Sequence, residues 1–219
     1  MGLFHKDFYI LTEEKAITLL SSERLKFLMY DEAFEKDLPT NLIKIKDVFI
    51  FGCITGLRYS DLCRIKKTNI MVIDNDTFIK LNAQKTNIES IIKLPSLAKD
   101  ILERYNHLKS KKLPTISLTN FNAGLKKIGK LAKWNEPMSE YEKTSGRVGK
   151  TKPFYQFMAS HLMRKTSITH MLSCGVPEFI VKKISGHANN SKSFYRYVKI
   201  SQRLIDKEVD KFHNHFEKN

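Results

Sequence analysis

Apolar residues recur at helical spacing through most of the chain. Thr12-Glu13-Glu14-Lys15 reads as a helix start, with Thr12 as cap and acids in the first turn. Ile17, Leu19 and Leu20 begin its apolar face. A helical stretch from about Glu23 to Phe34 follows, ended by Leu38-Pro39-Thr40. Leu42 to Cys53 is so continuously apolar that it predicts a buried helix, broken by Gly56. Ser60-Asp61 is expected to cap a shorter helix running to about Lys67. Arg58 then falls at a helix–helix junction rather than on an open loop.

The period changes after Asn69. Ile70 to Ile73 is a short β-prone run, and Asp74-Asn75-Asp76 is a turn. Thr77, Ile79, Leu81 and Ala83 alternate with Phe78, Lys80, Asn82 and Gln84, the pattern of a strand with one buried face. Lys85-Thr86-Asn87 makes the next turn and Ile88 to Leu94 returns, completing a three-stranded meander. Pro95 opens a helix to about Leu108, and Thr119 to Lys133 predicts another. Residues 135 to 152 are polar and read as a long loop or loose hairpin. Phe157 to Cys174 is helical, with Gly175 at its C′ position; Pro177 opens the next helix and Gly186 closes it. In the last segment, Ser201 to Asn219, Ile205, Val209, Phe212 and Phe216 form a narrow apolar stripe that needs a groove, in its own domain or in a neighbouring protomer.

Composition narrows the setting. The 219 residues suffice for one large domain, and the 42% hydrophobic content for a real core. Lys and Arg number 38 against 23 acids, a net charge of +15 that is spread along the chain and points to a polyanionic partner. Cys53, Cys63 and Cys174 are odd in number and form no CxxC pair, which argues against a disulfide framework or a zinc site and favours a reducing compartment. No apolar run reaches the length of a membrane span.

Against that background a few residues carry chemistry. Cleaving a phosphodiester passes through a crowded phosphorus with extra negative charge. Two arginines can clamp its non-bridging oxygens with paired donors, and Arg58 and Arg164 are the candidates. A tyrosine can attack the phosphorus and hold it as a covalent ester; Tyr195 and Tyr197 both stand in the right region. A phenol of pKa near 10 needs help to lose its proton, and His161 or His187 can accept it or bond the phosphate. Lys85 on its hairpin can protonate the leaving 5′ oxygen. The histidines and acids show no metal-binding spacing, and no cofactor is expected.

The order of these residues resembles the catalytic domain of the tyrosine recombinases, the phage and conjugative-transposon integrases. Thr55-Gly56-Leu57-Arg58-Tyr59-Ser60-Asp61-Leu62 is similar to the family's first arginine box, Gln84-Lys85-Thr86 to its lysine hairpin, and His161-Leu162-Met163-Arg164 to its H-x-x-R box. Ser185-Gly186-His187 after Ile184 resembles the L-G-H box, and Lys192-Ser193-Phe194-Tyr195-Arg196-Tyr197 the box around the nucleophile. The likeness extends over residues 9 to 200. It implies a mainly α fold with a small three-stranded antiparallel sheet (α+β), the DNA breaking-rejoining fold. It further implies Arg58, Lys85, His161, Arg164 and His187 as catalytic residues around Tyr197 as nucleophile. The family tyrosine usually lies nine residues after the L-G-H histidine. Tyr197 lies ten after His187, and the extra residue is assigned to Ala188-Asn189-Asn190-Ser191.

The activity implied is site-specific cleavage and rejoining of DNA through a 3′-phosphotyrosyl bond, without metal or ATP. The implied partners are double-stranded DNA, a homo-tetramer on two DNA sites and accessory DNA-bending proteins, in a prokaryotic cytoplasm at the nucleoid. Two alternatives stay open: a catalytically idle DNA-binding module of the same fold, and a type IB topoisomerase-like relaxing enzyme. Family members normally carry an amino-terminal helical clamp domain. Residues 1–11 are therefore expected to be a linker to that core-binding domain or a remnant of it, 12–200 the catalytic domain, and 201–219 a helix that docks in cis or in trans.

Overall fold

The computed structural model describes residues 19–141, 148–191 and 193–214. The helix start expected at Thr12 and the stripe residue Phe216 lie outside them. The first helical stretch is divided in two: α1 (Ser22–Tyr30) and α2 (Glu32–Asp37). Asp31 makes the break, because its carboxylate accepts from the Phe34 backbone N–H at 2.8 Å and caps α2 instead of continuing α1. The apolar run becomes α3 (Thr40–Thr55), ended by Gly56 at φ 68°. It is buried on nearly every side, with Phe49 and Phe51 fully enclosed, as a helix hydrophobic all round must be. Each such side chain adds about 1.5–3 kcal/mol of burial free energy.

The next helix is shorter than expected. In α4 (Tyr59–Leu62) Arg58 is the N-cap residue, and Ser60 and Asp61 lie inside the helix. The meander forms as predicted: β1 (Ile70–Ile73), β2 (Asp76–Asn82) and β3 (Glu89–Lys93) pair antiparallel in that order. Ile70, Ile79 and Ile92 stand opposite one another, and Ile79 and Ile92 are buried. Helix α5 (Ser96–Arg104) ends one turn before the expected Leu108, and α6 (Leu118–Leu131) follows. Within the polar stretch 135–152, β4 (Pro137–Tyr141) pairs antiparallel with β5 (Val148–Pro153).

After a short 3₁₀ turn over Phe154–Phe157, α7 (Ser160–Ser173) packs on α3. Gly52 permits the approach: a Cβ there would lie 2.2 Å from the sulfur of Met163. Helix α8 (Glu178–Ser185) follows Pro177, and α9 runs from Tyr195 to Asn214, so the segment that begins at Ser201 continues the helix that carries Tyr197. The main core gathers around α3, and a smaller one joins Ile168, Leu172, Val181, Phe194 and Tyr197 from α7, α8 and the start of α9.

A polar network ties the first helices to the core. Lys46, 2% exposed, donates to the Leu28 carbonyl at 3.1 Å and pairs with Glu35 at 2.5 Å. Asp47 pairs with Arg104 at 2.9 Å and accepts from Tyr105 at 2.8 Å. Among the described residues no helix is long and apolar enough to cross a membrane.

Candidate active site

Three helix ends and one hairpin tip converge beside α7. Arg164 projects from the buried face of α7 and is 3% exposed. Its Nη1 donates to the carbonyl of Gly56 at 2.8 Å, at the end of α3, where the helix dipole favours a cation. Its Nη2 lies 3.1 and 3.2 Å from the two ring nitrogens of His187. Burial, then the like charge of Arg58, lower the guanidinium pKa to about 9, which leaves it charged at neutral pH. Arg58 donates from Nη1 to the carbonyl of Gly186, the last residue of the α8 turn, at 3.3 Å. With His161, both arginines line a cleft of about 290 Å³ shared with Tyr59, Ser60, Leu118 and Ser160.

His187 follows Gly186, whose φ of 62° ends α8. Ser185 fixes the imidazole. Its hydroxyl donates to the Val181 carbonyl at 2.5 Å, so its oxygen is an acceptor for His187 Nδ1–H at 2.8 Å. That network assigns the Nδ1–H tautomer and leaves the Nε2 lone pair beside Arg164. Burial, then Arg164 and Arg58, lower the His187 pKa to about 3, so the ring is neutral. His161 is exposed on the first turn of α7 and lines the cleft; desolvation, then Lys165, Arg164 and Arg58, lower its pKa too.

Tyr197 lies on the first turn of α9, 7% exposed. Its ring stands 6.0 Å from that of His187, centroid to centroid, and 6.2 Å from that of Phe194. Burial raises the phenol pKa, while Arg164, Arg58 and Arg196 oppose that rise through their charge. Tyr195 is different: it is 51% exposed, with the Lys182 ammonium 5.0 Å from its ring centre. Between His187 and Tyr197 the chain makes two successive turns, Ser191 N to Ala188 O and Phe194 N to Ser191 O, each 3.0 Å. Lys85 is exposed at the β2–β3 tip.

The structure thus sets Arg164 against His187, ties Arg58 to the carbonyl that precedes His187, places His161 in the cleft with both arginines, and seats Tyr197 against His187. Sequence reasoning passed over Ser185, Asp61 and Thr86. Ser185 had a visible signal, since it stands where the family box has leucine. Asp61 and Thr86 act through contacts to distant parts of the chain.

The family model for the phage integrase family matches residues 29–203. The chain belongs to that family. Its members, the tyrosine recombinases, also supply the similar solved structures. The XerH site-specific recombinase bound to difH substrate has a TM-score of 0.60 at 12% identity, over 84% of this chain and 51% of that one. The XerA recombinase gives 0.58 at 18% identity, over 93% and 65%. The Tn1549 transposon integrase in complex with a circular intermediate DNA gives 0.51 at 17% identity, over 82% and 60%. The phage integrase chain described here therefore spans about half to two thirds of these relatives, and at such identities the likeness establishes the tyrosine recombinase fold. Comparison with curated proteins gives no match.

Proposed function

We propose that this chain is the catalytic domain of a site-specific DNA recombinase that cuts and rejoins strands through a 3′-phosphotyrosyl intermediate. The observation that carries the reading is the seat of Tyr197: a buried phenol against neutral His187, in the field of Arg164 and Arg58. The arginines spend one donor each on helix-end carbonyls, which aims the guanidinium planes while other N–H groups remain for phosphate oxygens.

In the proposed step the Tyr197 oxygen forms a bond to phosphorus as the bond from phosphorus to the 5′ oxygen breaks. The tyrosine proton passes to His161, which faces the cleft and whose charged form is disfavoured there; His187, with its basicity depressed to about 3 and its one N–H held by Ser185, offers its Nε2 lone pair to Arg164 and helps aim that guanidinium at the phosphate. Lys85 gives a proton to the departing 5′ oxygen. The ester keeps the bond energy, so a 5′ hydroxyl from a second DNA end reverses the step. The XerH and Tn1549 proteins are described with DNA; double-stranded DNA is the proposed substrate here, with a homo-tetramer on two sites as the working assembly and residues 201–219 as its docking helix.

The test is covalent capture from a pool of nicked duplexes with randomised sequence around the nick. An active chain becomes joined to the 3′ phosphate, and Tyr197→Phe does not. DNA binding without any adduct points instead to an idle binding module. Relaxation of supercoiled plasmid irrespective of sequence points to a topoisomerase-like enzyme.

A further inference from the structure

The residues on either side of Lys85 are tied to two different parts of the pocket. Before it, the Gln84 backbone N–H donates to Asp61 Oδ1 at 2.9 Å, and Asp61 is buried in α4, the helix that Arg58 caps. After it, Thr86 Oγ1 donates to the Gly186 carbonyl at 3.0 Å. That carbonyl is the one that receives Arg58 Nη1, and it immediately precedes His187. The tip is closed on itself by Asn87 N to Ala83 O at 2.8 Å and Ala83 N to Ile88 O at 2.9 Å. Ala83 sits so near Gly186 that a Cβ on the glycine would stand 2.8 Å from its own. Further along, Ser90 Oγ donates to the Lys183 carbonyl at 2.9 Å.

We infer that Thr86 is a positioning residue for leaving-group protonation: its hydroxyl registers the Lys85 backbone to the carbonyl that also aims Arg58. The inference rests on the proposed role of Lys85 as proton donor to the 5′ oxygen. A lysine carries its charge on a long, freely rotating stem, and proton transfer needs heavy atoms within hydrogen-bond reach. A tip anchored on both flanks removes the backbone part of that search. With one oxygen serving both Arg58 and Thr86, a displacement of α8 moves the phosphate clamp and the acid together.

Thr86→Val is close to isosteric and removes only the donor, since Gly186 O keeps its bond from Arg58. The measurement is the rate of covalent adduct formation on a duplex recovered by the pool selection, compared with the same duplex carrying a 5′-bridging sulfur at the scissile bond. There the phosphorus–sulfur bond breaks with its electron pair on sulfur, and the thiolate leaves without an acid. Lys85→Ala is expected to be slow on the oxygen duplex by about 10²–10⁴-fold and near wild type on sulfur. Thr86→Val is expected to follow the same pattern with a smaller loss, about ten- to a hundredfold on oxygen. Thr86→Ser, which keeps the hydroxyl, is expected to restore both rates.

Equal slowing of Thr86→Val on both duplexes, or no slowing at all, overturns the inference and leaves Lys85 in its role. Equal slowing of Lys85→Ala on both overturns the assignment of Lys85 and the inference with it. Absence of any adduct with the unaltered chain removes the proposed function itself.

Discussion

Arg164 donates to the carbonyl of Gly56, 108 residues earlier in the chain, at 2.8 Å. This bond fastens the middle of the molecule to the site, because Gly56 ends the most deeply buried helix and Arg164 lies on the helix packed against it. Arg58, two residues after Gly56, makes the matching bond to Gly186 at the end of α8. Each guanidinium is held by a helix terminus, where backbone carbonyls carry partial negative charge. Two like charges are thereby kept together with no carboxylate bonded to either among the described residues, a poise suited to receiving an anion.

Arg164→Lys tests whether that planar fork is needed. An ammonium is a compact point charge and cannot serve Gly56 and His187 while presenting paired donors to a phosphate. Covalent adduct formation is expected to fall by about 10²–10³-fold, the scale of losing one preorganised donor to a developing charge. Non-covalent DNA affinity should change far less, as gel-shift titration at fixed salt would report.

Gly186→Ala should damage both stability and cleavage. The φ of 62° costs a side chain about 1–2 kcal/mol, and the added Cβ would meet Ala83 at 2.8 Å, which displaces the hairpin tip. Gly175 is a control. Its φ is 79°, but a Cβ there meets nothing within 4 Å. Gly175→Ala should lower the denaturation midpoint and leave adduct formation at the wild-type rate, whereas Gly186→Ala should lose both.

The strands and most helices were legible because apolar period reports burial directly: Ile79 and Ile92 fall on the buried face, and α3 is apolar on every side. The break at Asp31 was not, since a cap and a mid-helix acid look alike until the Phe34 N–H is placed. Helix α7 buries Thr166, Ser167 and Thr169, so its polar look hides a core helix. At the site the ordered motifs reveal which residues to examine. They are silent on Thr86 and Gly186, which meet across 100 residues, and on the way Asp61 reaches Gln84.

The two tyrosines separate cleanly. Tyr197 is packed against His187 and Phe194, and Tyr195 is half in solvent under Lys182. Tyr197→Phe should abolish the adduct with little change in stability, because the ring and its packing remain. Tyr195→Phe should keep adduct formation within about threefold of wild type, the range of a surface change of under 1 kcal/mol. Mass spectrometry of the trapped peptide would assign the phosphorylated oxygen, and finding it on Tyr195 would reverse the proposal.

Salt should govern DNA binding more than sequence does. With a net charge of +15, the logarithm of the binding constant is expected to fall linearly with the logarithm of salt concentration, with a slope of about −0.9 for each phosphate contacted. Fluorescence anisotropy between low and moderate salt measures it. A flat profile would mean that the basic excess does not face DNA.

The buried neutral imidazole makes stability depend on acid. Unfolded, His187 has the ordinary pKa of about 6.5; folded, burial beside Arg164 and Arg58 lowers it to about 3. Between those values the unfolded chain takes up a proton that the native pocket refuses. His187's contribution is therefore fully present above pH 6.5 and is lost as pH falls toward 3. Linkage sets the loss at about 1.4 kcal/mol per pH unit at most, and roughly 1 kcal/mol between pH 6 and 5. His161, also lowered, adds in the same direction. The informative comparison is with His187→Asn, which cannot take up the proton and leaves every other titrating group in place. Urea denaturation at pH 7, 6 and 5 should show wild type losing stability more steeply than the variant. Parallel slopes would mean that His187 is charged in the native pocket, and the Nδ1–H tautomer held by Ser185 would have to be abandoned.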